Sequence, residues 1–346
     1  MRRLMSRVLA CLLLGAPGAP CVFAAADPTF DNPLLRQRAD PHVILHTDGR
    51  YYFSATVAEW DRIEIRRTDD LDQLSSAQTK VVWRAHADGP MSKHIWAPEI
   101  HFIDGKWYIY FTASRVDAKW EVRPYVLVNE SADPFDGEWK ELGRIETGWD
   151  SFSLDGTTFV HRGQRYFVWT QRGRTPEEGK GTNIYIAKMR SPAAITGKAT
   201  LLSKPDYEWE KRKYEVNEGP AVLIRNGRVF MTFSASAIDA NYCMGLLTAS
   251  DDADLLDPKS WTKNSEPVFR SSEANGQFGP GHNSFTTTRD GKTDILVYHA
   301  REYRDIVGSE LDDPNRNTRA QVLHWKKDGT PDFGEPVADR RKKAAN

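Results

Sequence analysis

The chain has almost no cysteine: three in 346 residues, two of them, Cys11 and Cys21, within the first 26. Only Cys243 remains beyond that point, so no disulfide can close there and packing must supply the stability. Cys243, in "DANYCMGLL", reads as a small buried apolar residue. Long hydrophobic runs are missing too, and the one at the N-terminus is too short to anchor in a bilayer. Neither charge dominates: the formal net charge is −1, with no basic stripe. That excludes nucleic acid as the expected partner. Long helical periodicity is absent, except around Asp69 to Ser75. What is abundant is aromatic: eleven Trp, twelve Tyr and fifteen Phe, in a chain 40% hydrophobic, supply a sizeable core and exclude a disordered class.

The first residues, "MRRLMSRVLACLLLGAPGAPCVFAAA", set Arg2, Arg3 and Arg7 ahead of a short apolar run that ends in Ala24-Ala25-Ala26. Residues 1–26 are therefore predicted to be an export signal cleaved near Ala26, which places the protein in the periplasm or the medium. Its loss removes three arginines and takes the charge from −1 to −4. A lipid anchor on Cys21 is disfavoured by Pro20 before it. The terminal "RRKKAAN" reads as a solvated tail.

Five segments share one plan: "HVILHTDGRYYFSA", "EIHFIDGKWYIYFTAS", "TTFVHRGQRYFVWTQ", "AVLIRNGRVFMTFSAS" and "SFTTTRDGKTDILVYHA". Each is a strand-like run, a tight turn and a second β-rich run, and Asp-Gly and Asn-Gly suit the positive φ of short hairpins. The turn glycines Gly49, Gly105, Gly163, Gly227 and Gly291 are 56, 58, 64 and 64 residues apart. Further strands and a Trp-containing or apolar run fill each interval, as in "PYVLVNESADPFDGEWKELGRI". The pattern predicts an all-β chain, with residues 27–346 forming one five-bladed β-propeller of four-stranded antiparallel blades around a central axis. A decorated β-sandwich would not explain the even spacing.

In a propeller the first strands line the axis, so residues near their starts converge. Nine residues before the turn glycines stand Asp40, Trp96, Leu154 (Asp155 follows), Glu218 and His282. Arg38 shares the first strand mouth with Asp40. Singly each has a bland reading: an Asp before Pro forms turns, and Glu218 could simply open a strand. Jointly, three carboxylates at one polar site repel one another and cost stability unless used. Acetal hydrolysis uses such a set. One carboxylic acid protonates the leaving oxygen, one carboxylate serves the opposite face of the sugar, and a third charge raises the pKa of the donor. A tryptophan suits the apolar face of a sugar ring.

"RADPHV", "HIWAPEIHF", "SLDGTTF", "VNEGPAV" and "GPGHNSF", in this order, resemble the blade-start motifs of glycoside hydrolase family 43. The resemblance implies a five-bladed propeller that inverts the anomeric centre and requires no cofactor. It implies Asp40 as general base, Glu218 as general acid and Asp155 as the residue that tunes the acid. Gly156 follows Asp155 where many members have proline. His282 resembles an axial histidine that contacts a central water or a calcium or sodium ion, with any metal bound through water. Arg316, in "NRNTRAQ", resembles an arginine that reaches a sugar hydroxyl, and Trp96 would wall the pocket. Arg38, Trp96, Arg316 and His282 are thus the expected substrate-binding residues. Glu99 is a possible fourth acid, its alternative being a structural pairing with an arginine.

Within the family the chain looks closest to exo-acting α-L-arabinofuranosidases. The implied substrates are oligosaccharides or the side chains of hemicellulose and pectin. β-Xylosidase and endo-arabinanase are the alternatives inside the family. Outside it stand a non-catalytic sugar-binding propeller and a retaining propeller of the fructan-hydrolase kind. A monomer without a membrane anchor is expected.

Overall fold

The computed structural model describes residues 27–340, so the expected export segment, residues 1–26, lies outside the described residues. Blade one is β1 (Arg38–Leu45), β2 (Tyr51–Val57), β3 (Arg62–Thr68) and β4 (Gln78–Arg84). Blade two is β5 (Lys93–Ile103), β6 (Lys106–Ser114), β7 (Arg123–Asn129) and β8 (Lys140–Arg144). Blade three is β9 (Ser153–His161), β10 (Gln164–Arg172), β11 (Thr182–Ser191) and β12 (Ala194–Ser203). Blade four is β13 (Asn217–Arg225), β14 (Arg228–Ala235), β15 (Cys243–Ser250) and β16 (Thr262–Lys263). Blade five holds β17 (Phe278–Thr287), β18 (Asp294–Arg301) and β19 (Asn317–Val322), followed by a short pair, β20 (His324–Trp325) and β21 (Pro331–Asp332). Within each blade consecutive strands pair antiparallel.

The outer edge of blade five is completed from the other end of the chain. Leu35 bridges Thr318 antiparallel, with Leu34 N donating to Thr318 O at 2.9 Å and Thr318 N to Leu35 O at 2.9 Å. The Asn32 amide then takes both backbone groups of Ala320, at 2.8 and 2.9 Å. A clasp of this kind closes the ring and leaves less of the sheet edge unpaired.

Five apolar clusters fill the five gaps between neighbouring blades. Trp107 and Ile63 mark the gap between blades one and two, Trp169 and Tyr110 that between two and three, and Phe233 and Ile184 that between three and four. Tyr298 and Phe230 fill the gap between four and five, and Phe53 and Val297 the closing gap between five and one. Because each sheet is packed on both faces, central strands are buried throughout; β2 and β7 carry no exposed residue. This is why "YYFSATV" and "WYIYFTA" read as near-continuous apolar runs rather than alternating ones. No helix among the described residues is long and apolar enough to cross a membrane.

The first strands surround the axis: β1 touches β17 and β5, β9 touches β5 and β13, and β13 touches β17. Each carries a register shift near its start, with a left-handed residue at the break. These residues are Asp40 (φ 56°), Ala97 (44°), Asp155 (53°), Gly219 (54°) and His282 (44°). A left-handed backbone costs a non-glycine residue about 1–2 kcal/mol. Four such residues at equivalent positions mark strain retained for a purpose.

Candidate active site

Each bulge turns a side chain from the blade sheet toward the axis. Asp40, Asp155 and His282 occupy the bulge itself. In blades two and four the bulge is small, Ala97 and Gly219, and the residue before it, Trp96 or Glu218, lines the pocket instead. The resulting cavity of about 920 Å³ is lined by Asp40, Asp155, Glu218, Trp96, His282 and Arg316, among others. The residues that the sequence placed at strand starts do converge.

Asp40 is held on every side. Thr56 Oγ1 donates to its Oδ2 at 2.6 Å, and Thr56 Oγ1 in turn accepts from the Ala97 N–H at 2.7 Å, tying β2 to β5. Oδ1 lies 3.2 Å from His282 Nδ1 and 3.3 Å from Arg316 Nη1. The Asp40 N–H donates to His299 Nδ1 at 3.0 Å. Burial alone would push the carboxyl up, but His282 and Arg316 together hold it well below the usual carboxylate range. Asp40 is therefore ionised throughout the working pH range.

Glu218 and Asp155 behave in the opposite way. Burial raises Glu218, opposed by a 2.7 Å hydrogen bond that Tyr242 Oη donates to its Oε1, and the charge of Asp40 raises it further; the net direction is up. Burial likewise raises Asp155, opposed by His282, and the charges of Glu218 and Asp40 add to the rise. The Gly219 N–H donates to Asp155 Oδ2 at 3.0 Å, and the Asp155 N–H donates to Thr112 Oγ1 at 3.1 Å. One always-charged carboxylate thus stands beside two that prefer their protons, an environment that separates acid from base.

Trp96 is buried, stacked on His94 (4.2 Å, 17°) and edge-on to Trp60 (5.5 Å, 87°), with its indole N–H unpartnered among the described residues. Arg316 is in place at Asp40. Arg38 departs from expectation: its guanidinium donates to Glu64 Oε2 at 2.9 Å, inside its own blade, and it does not line the pocket. Among the described residues Glu99 pairs with histidines rather than with an arginine. His101 Nε2 lies 2.9 Å and His42 Nε2 3.6 Å from its Oε2.

The axial ion implied through His282 finds that imidazole already engaged with Asp40, and among the described residues no metal-competent cluster includes it. Sequence reading missed Thr56, Tyr242 and His299. Thr56 and His299 sit on second strands, seven and eight residues after their turn glycines, at a position where Thr112, Thr170 and Ser234 also place a hydroxyl, whereas Tyr242 lies just before a third strand with no such repeat. The available signal was a polar residue in an apolar run, as in "DILVYHAR" for His299.

Comparison with known proteins agrees with this geometry. Residues 30–331 match the model of "Glycosyl hydrolases family 43". The chain is 54% identical to an "Extracellular exo-alpha-(1->5)-L-arabinofuranosidase" of Streptomyces avermitilis, over 98% of this chain and 72% of that one. It is 52% identical to "Alpha-L-arabinofuranosidase 43" of Humicola insolens, over 96% and 69%. The crystal structure of an α-L-arabinofuranosidase from Lactobacillus brevis superposes with a TM-score of 0.87 at 51% identity, covering 90% of this chain and 98% of that one. The five-bladed propeller, the shared pocket and these relatives place the chain in glycoside hydrolase family 43, as a glycosidase.

Proposed function

We propose that the protein is an exo-acting α-L-arabinofuranosidase that inverts the anomeric centre and releases terminal arabinofuranose from arabinan- or arabinoxylan-type oligosaccharides. The observation that carries the mechanism is the opposite surroundings of two carboxyls in one pocket: Asp40 lies between His282 Nδ1 and Arg316 Nη1, which favour its charge, while Glu218 is buried beside that charge and is raised toward the protonated form. Asp40 orients a water and accepts its proton as the water attacks the anomeric carbon. Glu218 gives its proton to the departing glycosidic oxygen. The transition state is oxocarbenium-like, so the permanent charge on Asp40 also stabilises the positive charge developing on the sugar. Asp155, fixed against the backbone next to the acid, orients it and modulates its pKa: two buried neighbouring carboxyls do not both ionise cheaply, while burial and the charge of Asp40 keep Glu218 raised. Proton exchange with solvent restores both groups, and the chemistry calls for no cofactor.

Relatives named for arabinofuranosidase activity, at about half identity, support the choice of sugar. Trp96 offers a ring face, and Arg316 lines the same pocket, where its guanidinium N–H groups can donate to a sugar hydroxyl. The charged leader sequence, together with two relatives named extracellular, supports export. The test is a panel of aryl glycosides. Rapid hydrolysis of the α-L-arabinofuranoside and slow hydrolysis of the β-D-xyloside is expected; the reverse order would make the enzyme a β-xylosidase.

A further inference from the structure

Further along the axis from the catalytic carboxylates lies a second polar cluster outside the sugar pocket. His42 is two residues beyond Asp40 on β1, and Glu99 and His101 are two and four residues beyond Ala97 on β5. One ligand atom from each of the three lies within 4.8 Å of the others. The two imidazoles flank one carboxylate oxygen, with Glu99 Oε2 2.9 Å from His101 Nε2 and 3.6 Å from His42 Nε2. Their rings are 4.6 Å apart between centroids and tilted by 36°. His42 is 9% exposed, yet neither of its ring nitrogens has a hydrogen bond among the described residues: Nδ1 has no partner, and Nε2 stops short of Glu99. A buried imidazole left in that state forfeits a hydrogen bond that folded proteins rarely forgo. None of the three residues lines the catalytic cavity.

We propose that His42, Glu99 and His101 form a site for one transition-metal dication of the zinc type, bound in the axial channel and bridging blades one and two. Two imidazole nitrogens with one carboxylate oxygen suit zinc and its neighbours, whereas calcium takes six to eight oxygens. Tetrahedral bonds of about 2.0–2.1 Å put ligand atoms roughly 3.3 Å apart, and the two separations at Glu99 Oε2 fall on either side of that value. A water completes the fourth position. The cation acts as a rivet between the innermost strands of two blades, one of which carries the general base two residues away. The site is separate from any water-held ion at His282.

The test uses the purified mature enzyme, stripped with chelator and desalted, then titrated with zinc chloride by calorimetry. Metal content is measured by mass spectrometry and melting is followed in parallel. About one zinc per chain and a higher melting temperature are expected. His42→Ala and His101→Ala should each weaken zinc binding at least tenfold, while His282→Ala retains it. Absence of stoichiometric zinc in the unmutated enzyme would overturn the proposal by itself, whatever the folding of the variants. So would zinc that survives both His42→Ala and His101→Ala, or calcium bound in its place.

Discussion

Tyr242 Oη donates a 2.7 Å hydrogen bond to Glu218 Oε1, and the same tyrosine ring lies flat against His299, 5.6 Å between centroids and 5° between planes. His299 accepts the backbone N–H of Asp40. One stacked pair therefore links the backbone of the base to the side chain of the acid. Burial brings His299 down to about 3, so it is neutral and can accept. Tyr242→Phe would remove a bond that favours the ionised form of Glu218. The pKa of the acid should rise by roughly one unit, since a hydrogen bond to a charged group is worth about 1.5–3 kcal/mol. The alkaline limb of kcat/KM should move to higher pH. An alkaline limb that stays put, or moves down, would show that this bond does not set the acid.

Thr56 has a comparable duty toward the base, because its hydroxyl donates to Asp40 Oδ2 while accepting from Ala97. Thr56→Val keeps the shape and removes both bonds. We expect kcat to fall by about 10- to 100-fold with KM little changed, since the loss falls on the orientation of a charged group. A rise in KM with kcat preserved would assign Thr56 to substrate binding.

Glu218→Gln separates proton donation from everything else. Hydrolysis of natural glycosides, whose leaving alcohols need a proton, should drop by about 10²–10⁴-fold, and that of aryl glycosides with good leaving groups by far less. Equal losses on both would remove Glu218 from the role of acid.

The same carboxyls should leave opposite marks on stability. Glu218 is raised in the folded state, so the native chain holds more protons than the unfolded one as pH climbs above the ordinary carboxylate range, and stability falls across that window. Glu218→Gln should therefore raise the melting temperature at pH 7.5, by a few degrees for about 1–3 kcal/mol, and do little at pH 4. Asp40 is lowered, so it contributes stability above its ordinary pKa that is lost as pH falls toward its folded value. Asp40→Asn should lower melting at pH 7.5. Shifts of the same sign in the two variants would refute the opposed electrostatics.

Gly219 has φ +54°, and a Cβ there would sit 3.0 Å from His282 Cγ and 3.1 Å from its Nδ1. Gly219→Ala should cost about 1–2 kcal/mol from backbone strain alone. It should also push the imidazole away from Asp40. Reduced melting temperature together with reduced kcat is the expected result; unaltered kcat would mean that the His282–Asp40 contact is dispensable.

The ring was legible because a hairpin turn imposes both a glycine and a spacing. The site was legible to within one residue, and the slip has a cause. In every first strand, six residues separate the bulge from the last residue before the turn: Asp40 from His46, Ala97 from Ile103, Asp155 from His161, Gly219 from Arg225 and His282 from Thr288. Blades two, three and four use two-residue turns in which Asp104-Gly105, Arg162-Gly163 and Asn226-Gly227 all have positive φ. The turns of blades one and five are longer, closing between His46 and Arg50 and between Thr288 and Thr293, and only their glycines are left-handed. Counting back nine thus reached the bulge at Asp40 and His282 but stopped one short at Trp96, Leu154 and Glu218. Arg38 misled because its charge is satisfied within the blade by Glu64, a partner 26 residues away that no motif announces. Tyr242 reaches the acid from the loop before β15, a position fixed only once the blades are folded.

The most direct measurement is the stereochemistry of the first product. With an aryl α-L-arabinofuranoside followed by proton NMR from the earliest turnovers, the β-anomer of arabinofuranose should appear first, because water held by Asp40 attacks opposite the leaving group. If the α-anomer formed first, Asp40 would be a nucleophile rather than a base, and the division of labour between Asp40 and Glu218 would be wrong.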